Sequence, residues 1–138
     1  MADEVCAVQY VYVTVKDRPG EGAKVLGALK KARVNLLAFS GFPGKAGKAQ
    51  IDLVTEQNED VKRVARDCRW KLSPVKHGFL VQGKDKVGAV ADIMAKLAKA
   101  RVNVTAADAV AAGGGRFGMI LWVKKASRAK AAKVLKAW

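Results

Sequence analysis

The sequence predicts an α+β fold in which one strand–helix–strand–strand–helix unit occurs twice, and three observations predict it. The acidic bend Asp17–Gly20 is followed by an amphipathic run to Asn35, and the same arrangement returns 68 residues later at Asp85–Gly88, ending at Asn103. The pentapeptide Lys-Ala-Arg-Val-Asn ends this amphipathic run in both copies, at 31–35 and 99–103. Apolar residues alternate before each bend and recur at helical spacing after it. Self-similarity at one fixed spacing indicates a duplicated unit.

The first copy divides into elements by its periodicity. Val and Tyr alternate through a long strand at Val5–Val15, and Pro19 suits the first turn of the helix that follows. Further strands are predicted at Val34–Phe39 and Ala49–Glu56, with a glycine-rich loop at 41–48 between them. A second helix begins near Asn58, a plausible N-cap, and a short fourth strand is predicted at Lys71–Val75. The predicted buried stripes of the two helices are Gly22, Val25, Leu26 and Leu29, then Val61, Val64, Ala65 and Cys68.

The second copy repeats this order. Strands are predicted at Phe79–Gln82, Val102–Val110 and Phe117–Val123, with a turn at Gly113–Gly115. Its first helix shows the stripe Val90, Ile93, Met94 and Leu97, and Ser127 caps a last helix to Trp138. No residues are left for a fourth strand, so the corresponding sheet edge is bare or covered by another segment.

This order predicts two ferredoxin-like βαββαβ units, each an antiparallel sheet with helices on one face, the second lacking its last strand. The predicted domains are 1–75 and 76–138. Units of this size lie near the lower limit for independent stability. We therefore expect the halves to join their sheets side by side and two chains to form a homodimer.

Composition narrows the class of protein. The chain is 51% hydrophobic, which is typical of a globular protein, and no apolar run approaches the ~20 residues of a membrane span. The amino terminus lacks the basic region of a signal peptide. Cys6 and Cys68 form no Cys-x-x-Cys pair, and His77 has no Asp or Cys pattern near it. We expect a cytoplasmic protein with no metal site, no cofactor and no catalytic residues.

The bends and the asparagines that follow them resemble those of tandem ACT domains, the small regulatory modules that sense amino acids in metabolic enzymes. The matching pieces are Asp17-Arg18-Pro19-Gly20 with Ala32-Arg33-Val34-Asn35-Leu36, and Asp85-Lys86-Val87-Gly88 with Ala100-Arg101-Val102-Asn103-Val104. The second bend lacks the proline. The resemblance runs from about Val8 to about Val123. In that family, effectors commonly lie beside the first strand–helix loop and the start of the second strand.

Carried over residue by residue, the resemblance implies a ligand site at Asp17, Gly20, Asn35, Asp85, Gly88 and Asn103. The chemistry suits a free amino acid, because a helix N-terminus offers N–H groups to its carboxylate and Asp or Asn accepts from its ammonium group. A purely structural interpretation stays open. Asp before a helix is commonly a cap, and glycine commonly serves a turn.

The predicted function is a non-catalytic regulatory protein that binds a small ligand, an amino acid, and acts on an enzyme or regulator in trans. The alternative is a basic nucleic-acid-binding protein on the same fold, since the net charge is +14. Two ridges could contact phosphates: Lys62, Arg63, Arg66, Arg69, Lys71 and Lys76, and Lys124, Lys125, Arg128, Lys130, Lys133 and Lys136. The signature of RNA-recognition strands is absent, because Arg116-Phe117-Gly118 is only a fragment of it.

Overall fold

A computed structural model describes residues 3–138, which form two compact units. One unit is Gln9–Lys76. The other combines residues 3–8 with His77–Trp138. This grouping differs from the predicted domains 1–75 and 76–138 at the amino terminus, because residues 3–8 group with the second copy of the repeat.

The unit of Gln9–Lys76 is a three-stranded antiparallel sheet with two helices. Its elements are β1 (Glu4–Lys16, which begins in the other unit), α1 (Glu21–Lys31), β2 (Ala38–Pro43), β3 (Lys48–Val54) and α2 (Asn58–Cys68). The strand order is β2-β3-β1. Alternate residues of β1 and β3 pack against the apolar stripes of both helices, which gives a core of Val11, Val13, Val25, Leu29, Val34, Ile51, Leu53, Val61 and Val64.

The other unit repeats the order strand, helix, strand, strand, helix. Its elements are β4 (Lys76–Lys84), α3 (Ala89–Lys99), β5 (Val104–Val110), β6 (Arg116–Val123) and α4 (Arg128–Leu135), the last preceded by a 3-10 turn at Lys125–Ser127. β6 lies between β4 and β5 and is antiparallel to both. Sheet residues Phe79, Val81, Phe117, Met119 and Leu121 pack with Ala89, Ile93, Leu97, Ala131 and Leu135 of the helices.

The sheet edge that the sequence left open is covered by the first strand. β1 is the neighbour of β4 in the strand order, and the Gln82 amide donates a hydrogen bond to Glu4 at 3.1 Å. The Ala7 N–H donates to the Trp138 carbonyl at 2.9 Å, and the Trp138 N–H donates to the Val5 carbonyl at 3.1 Å. The prediction that the second unit has no last strand of its own is confirmed, and residues 4–8 take that place.

Two predicted strands differ from the observed structure. β2 runs from Ala38 to Pro43 and therefore lies partly in the segment predicted as loop. Pro43 is accommodated because β2 is an edge strand, where a missing N–H leaves no sheet bond unmade. The predicted strand Lys71–Val75 contributes one bridge, from Leu72 to Val13.

Some predicted core positions are solvent-exposed. Cys68, predicted to be buried, is exposed, since α2 turns Val61, Val64 and Ala65 inward and ends at that residue. Val90 and Met94 remain 36% and 38% exposed. α3 buries Ile93 and Leu97, as predicted, together with Ala89.

Candidate functional site

Both predicted bends end in a glycine that directly precedes a helix. Each of these glycines adopts the left-handed backbone conformation. Gly20 has φ 91° before α1, and Gly88 has φ 81° before α3. This region favours glycine, because any other residue brings its Cβ close to the backbone. Neither helix has a side-chain cap. Asp17 and Asp85 are exposed and do not fill the capping role that the structural interpretation assigned to them.

Each bend is tied to the hairpin loop beside it by one backbone hydrogen bond. The Asp17 N–H donates to the Gly47 carbonyl, and the Asp85 N–H donates to the Gly115 carbonyl, both at 2.9 Å. Gly47 and Gly115 have φ 71° and 72° and lie 68 residues apart, as the bends do. The duplicated sequence therefore gives a duplicated local structure, in which a hairpin loop positions the start of a helix.

The segments that directly follow α1 and α3 also have equivalent structures, and they contain the two predicted asparagines. Val34 N–H donates to the Leu29 carbonyl and Val102 N–H to the Leu97 carbonyl, both at 2.9 Å, after an arginine in the left-handed conformation. Asn35 and Asn103 follow and are exposed. Asn103 directly precedes β5, whereas Asn35 lies three residues before β2.

An open depression of about 280 Å³ lies beside the second bend. It is lined by Asp85, Lys86, Gly88, Ala89, Val90, Ala91, Ala109, Val110, Ala111 and Phe117. Two of the six predicted site residues, Asp85 and Gly88, are therefore brought together in it, and Asn103 is not among its lining residues. The sequence-based reasoning missed the end of β5 and Phe117. No sequence signal places them beside Asp85, because they come close to it only through the hairpin of β5 and β6.

Charged side chains distinguish the two bends. Glu21, at the first position of α1, has a side chain only 15% exposed, with Lys24 at 3.2 Å and Arg18 at 3.7 Å. A hydrogen bond from Lys24 lowers the pKa of Glu21. The equivalent position of α3 is Ala89, so that helix has no carboxylate at its first residue. The nearest ion pair there joins Lys86 and Asp92 at 3.6 Å.

The sheet of the Gln9–Lys76 unit contains a buried carboxyl group. Asp52 on β3 is 3% exposed and accepts a hydrogen bond from the Gln50 amide at 2.8 Å. Burial raises the pKa of Asp52, against the opposing effects of that hydrogen bond and of Lys76. Its equivalent in the second unit is Ile120 on β6, also buried. Asp52 lies within the predicted strand Ala49–Glu56, and that prediction gave no sign that its carboxyl group is buried.

Among residues 3–138, no group of His, Cys, Asp or Glu side chains is arranged to hold a metal ion. Each helix within this range is too short or too polar to span a bilayer.

Solved structures of similar fold cover almost the whole chain. Protein BT0572 from Bacteroides thetaiotaomicron superposes with a TM-score of 0.80 at 14% identity, covering 96% of this chain and 88% of that one. The ligand-free regulatory subunit of aspartate kinase from Thermus thermophilus gives 0.65 at 13% identity, covering 99% and 95%. The chain has the fold of a tandem ACT-domain protein.

A longer enzyme contains the same fold as one part. Escherichia coli aspartokinase III in complex with aspartate and ADP superposes with a TM-score of 0.55 at 14% identity, and the match covers 97% of this chain but 32% of that one. No protein-family model and no curated protein matches the sequence. The solved structures of similar fold confirm the tandem ACT fold that the sequence predicted.

Proposed function

We propose that this protein is a non-catalytic regulatory module that binds a free amino acid beside the second bend. The observation that carries the proposal is the depression at Asp85–Gly88, which joins a helix N-terminus, a carboxylate and an apolar wall. These are the three chemical features that an α-amino acid with an apolar side chain requires.

Each part of the ligand has a counterpart in the depression. The N–H groups of Val90 and Ala91 lie in the first turn of α3, where a helix supplies no acceptor of its own and the dipole favours an anion. They suit the ligand carboxylate. The exposed carboxylate of Asp85 suits the ammonium group. Val110 and Phe117 provide apolar surface for the ligand side chain.

The differences between the two bends favour the second as the working site. Glu21 holds a carboxylate at the start of α1 and would repel the carboxylate of a ligand. Phe42 and Pro43 stand where the second copy has the smaller Val110 and Ala111. Under this proposal the Asp17, Gly20 and Asn35 site is a structural copy that binds more weakly or not at all.

A regulatory role also agrees with the proteins of similar fold. The Thermus thermophilus chain is a regulatory subunit, and the Escherichia coli enzyme was solved with aspartate. A module of this kind acts by favouring one conformation, which requires the ligand to bind two states with different affinity. The output then goes through an enzyme or regulator in trans.

The edge strands suggest how two chains associate. β2 and β5 are each an edge strand within their own unit, and Phe39 and Val110 on them are 46% and 66% exposed. Unpaired edges with apolar side chains are ready to pair with another strand. We include a homodimer in the proposal, and light scattering coupled to size-exclusion chromatography measures it directly.

A thermal-shift panel of the common amino acids tests the ligand. One or a few with apolar side chains are expected to raise the melting temperature, because a ligand that binds only the folded state stabilises it. Asp85→Ala should abolish the shift. The control Asp108→Ala, an exposed carboxylate on β5, should preserve it. Absence of any shift at millimolar ligand, or a shift that survives in Asp85→Ala, would contradict the proposal.

A further inference from the structure

The segment from Lys124 to Lys136 is strongly basic. It holds six Lys and Arg residues, and no Asp or Glu follows Asp108 in the sequence. α4 occupies most of the segment and turns Ala131 and Leu135 into the core. Lys124, Lys125, Lys130, Lys133 and Lys136 are exposed, and Arg128 is half-buried. We call these six residues the basic ridge.

The basic ridge is not neutralised by neighbouring carboxylates. Among residues 3–138, no ion pair includes any of its six members. The equivalent helix of the first unit behaves differently, because α2 pairs Lys62 with Glu59 and Arg63 with Asp60, both at 3.2 Å. Lysines left unpaired along one helix create a positive potential that attracts polyanions.

An exposed aromatic residue follows the ridge in the chain. Trp138 lies three residues after the end of α4 and is 77% exposed. Its backbone is held by two hydrogen bonds, to the Val5 carbonyl and from the Ala7 N–H. The indole is therefore carried on an anchored backbone rather than on a free chain.

We propose that the basic ridge and Trp138 bind single-stranded nucleic acid. Proteins that bind single strands combine a positively charged track for phosphates with aromatic side chains on which unpaired bases stack. The unpaired lysines supply the first, and the anchored indole supplies the second. An acidic protein surface would form ion pairs with the lysines, but it has no unpaired base to stack on the exposed tryptophan. Single-stranded nucleic acid is the partner that uses both features together.

The electrostatic part is tested by salt dependence with matched double variants. The probe is a fluorescein-labelled oligothymidylate of about 12 nucleotides, followed by anisotropy between about 50 and 200 mM salt. Lys130→Ala with Lys133→Ala removes two unpaired cations, so the slope of log Kobs against log salt should fall by about 1.4. The control removes the ion-paired Lys62 and Arg63, with the same change in chain charge, and should leave the slope almost unchanged.

The stacking part is tested at Trp138. Trp138→Ala should weaken binding about 5- to 150-fold, the range measured when one stacked base loses its aromatic partner. Trp138→Phe should retain most of the affinity, and neither change should alter the fold because the side chain is exposed. Circular dichroism and a melting curve of each variant check this.

Four results would overturn the proposal. They are no binding of the oligonucleotide at low salt, equal losses in the two double variants, full affinity in Trp138→Ala, and equal or tighter binding of polyglutamate or phosphatidylserine vesicles. The last would assign the ridge to an acidic protein or an anionic membrane instead. Binding that needs both the unpaired lysines and the indole would support it.

Discussion

At the scale of single residues, Asp52 is the group whose environment differs most from its appearance in the sequence. It lies on β3 opposite Tyr12 of β1 and Ser40 of β2, at 3% exposure, with the Gln50 amide as its hydrogen-bond donor. Burial disfavours its charged form and raises the pKa of Asp52 above its ordinary value. The neutral form is therefore more favoured in the folded protein than in the unfolded chain.

The pH dependence of stability follows from that direction. A carboxyl group with a raised folded pKa adds stability below its unfolded pKa of about 3.9, and that contribution is lost as the pH rises through the folded value. Asp52→Asn keeps an acceptor for Gln50 and removes the titration. We expect the variant to gain stability relative to the natural protein as the pH rises from acid to neutral.

Urea unfolding of both proteins across this pH range measures the difference. Asp108→Asn is the control, since Asp108 is exposed and surface changes of this kind alter stability by less than about 0.5 kcal/mol. A difference between Asp52→Asn and the natural protein that does not vary with pH would show that Asp52 does not titrate in this way.

At the scale of elements, the two bends show how a local sequence sets a local structure. Gly20 and Gly88 take positive φ, and a Cβ built on either would meet nothing within 4 Å. The cost of replacing them therefore comes from the backbone alone. Gly27, in the interior of α1, also has open space around it, and its φ is not positive.

These glycines give opposite predictions for the same substitution. Gly88→Ala should destabilise the protein by about 1 to 2 kcal/mol, because a left-handed residue with a side chain is strained. Gly27→Ala should stabilise it by about 0.5 to 1 kcal/mol, since alanine restricts the unfolded chain and favours the helix. Denaturant unfolding of the two variants compares them. Equal effects of the same sign would refute this account of the bends.

The fold was predictable from the sequence because its signals are local. The helical stripes and the bend glycines each depend on residues close together in the chain, and the repeat shows the same local pattern twice. The exposure of Val90 and Met94 was not predictable from the sequence. The stripe that α3 buries depends on how the helix packs on its sheet. The depression was not predictable either, since Val110 and Phe117 reach Asp85 only after the hairpin of β5 and β6 has folded back.

At the scale of the whole molecule, the chain is a duplication whose copies are not equal. β1 begins beside β4 and ends beside β3, so residues 3–8 belong to the compact unit of the second copy. Val5, at 4% exposure, lies in the core cluster of that unit. No periodicity in the sequence assigns an amino-terminal strand to a copy that starts some 70 residues later, because such pairing is non-local.

A pair of valine substitutions tests this placement. Val5→Ala should destabilise the protein by about 2 kcal/mol, since two buried methyl groups are lost. Val87→Ala should have no measurable effect, because Val87 is fully exposed. Urea unfolding of both variants against the natural protein measures the two values. A neutral Val5→Ala would mean that the amino-terminal segment is not part of the folded core.

Binding of an amino acid beside the second bend can be followed residue by residue through nuclear magnetic resonance of the backbone amides. Titration of the amino acid that gives the largest thermal shift should move the signals of Gly88, Val90 and Ala91 first, because their N–H groups lie nearest the proposed carboxylate position. Gly20, Gly22 and Ala23, at the equivalent bend, should move little or only at higher concentration. Unchanged signals throughout 85–91, or changes confined to the first bend, would contradict the account.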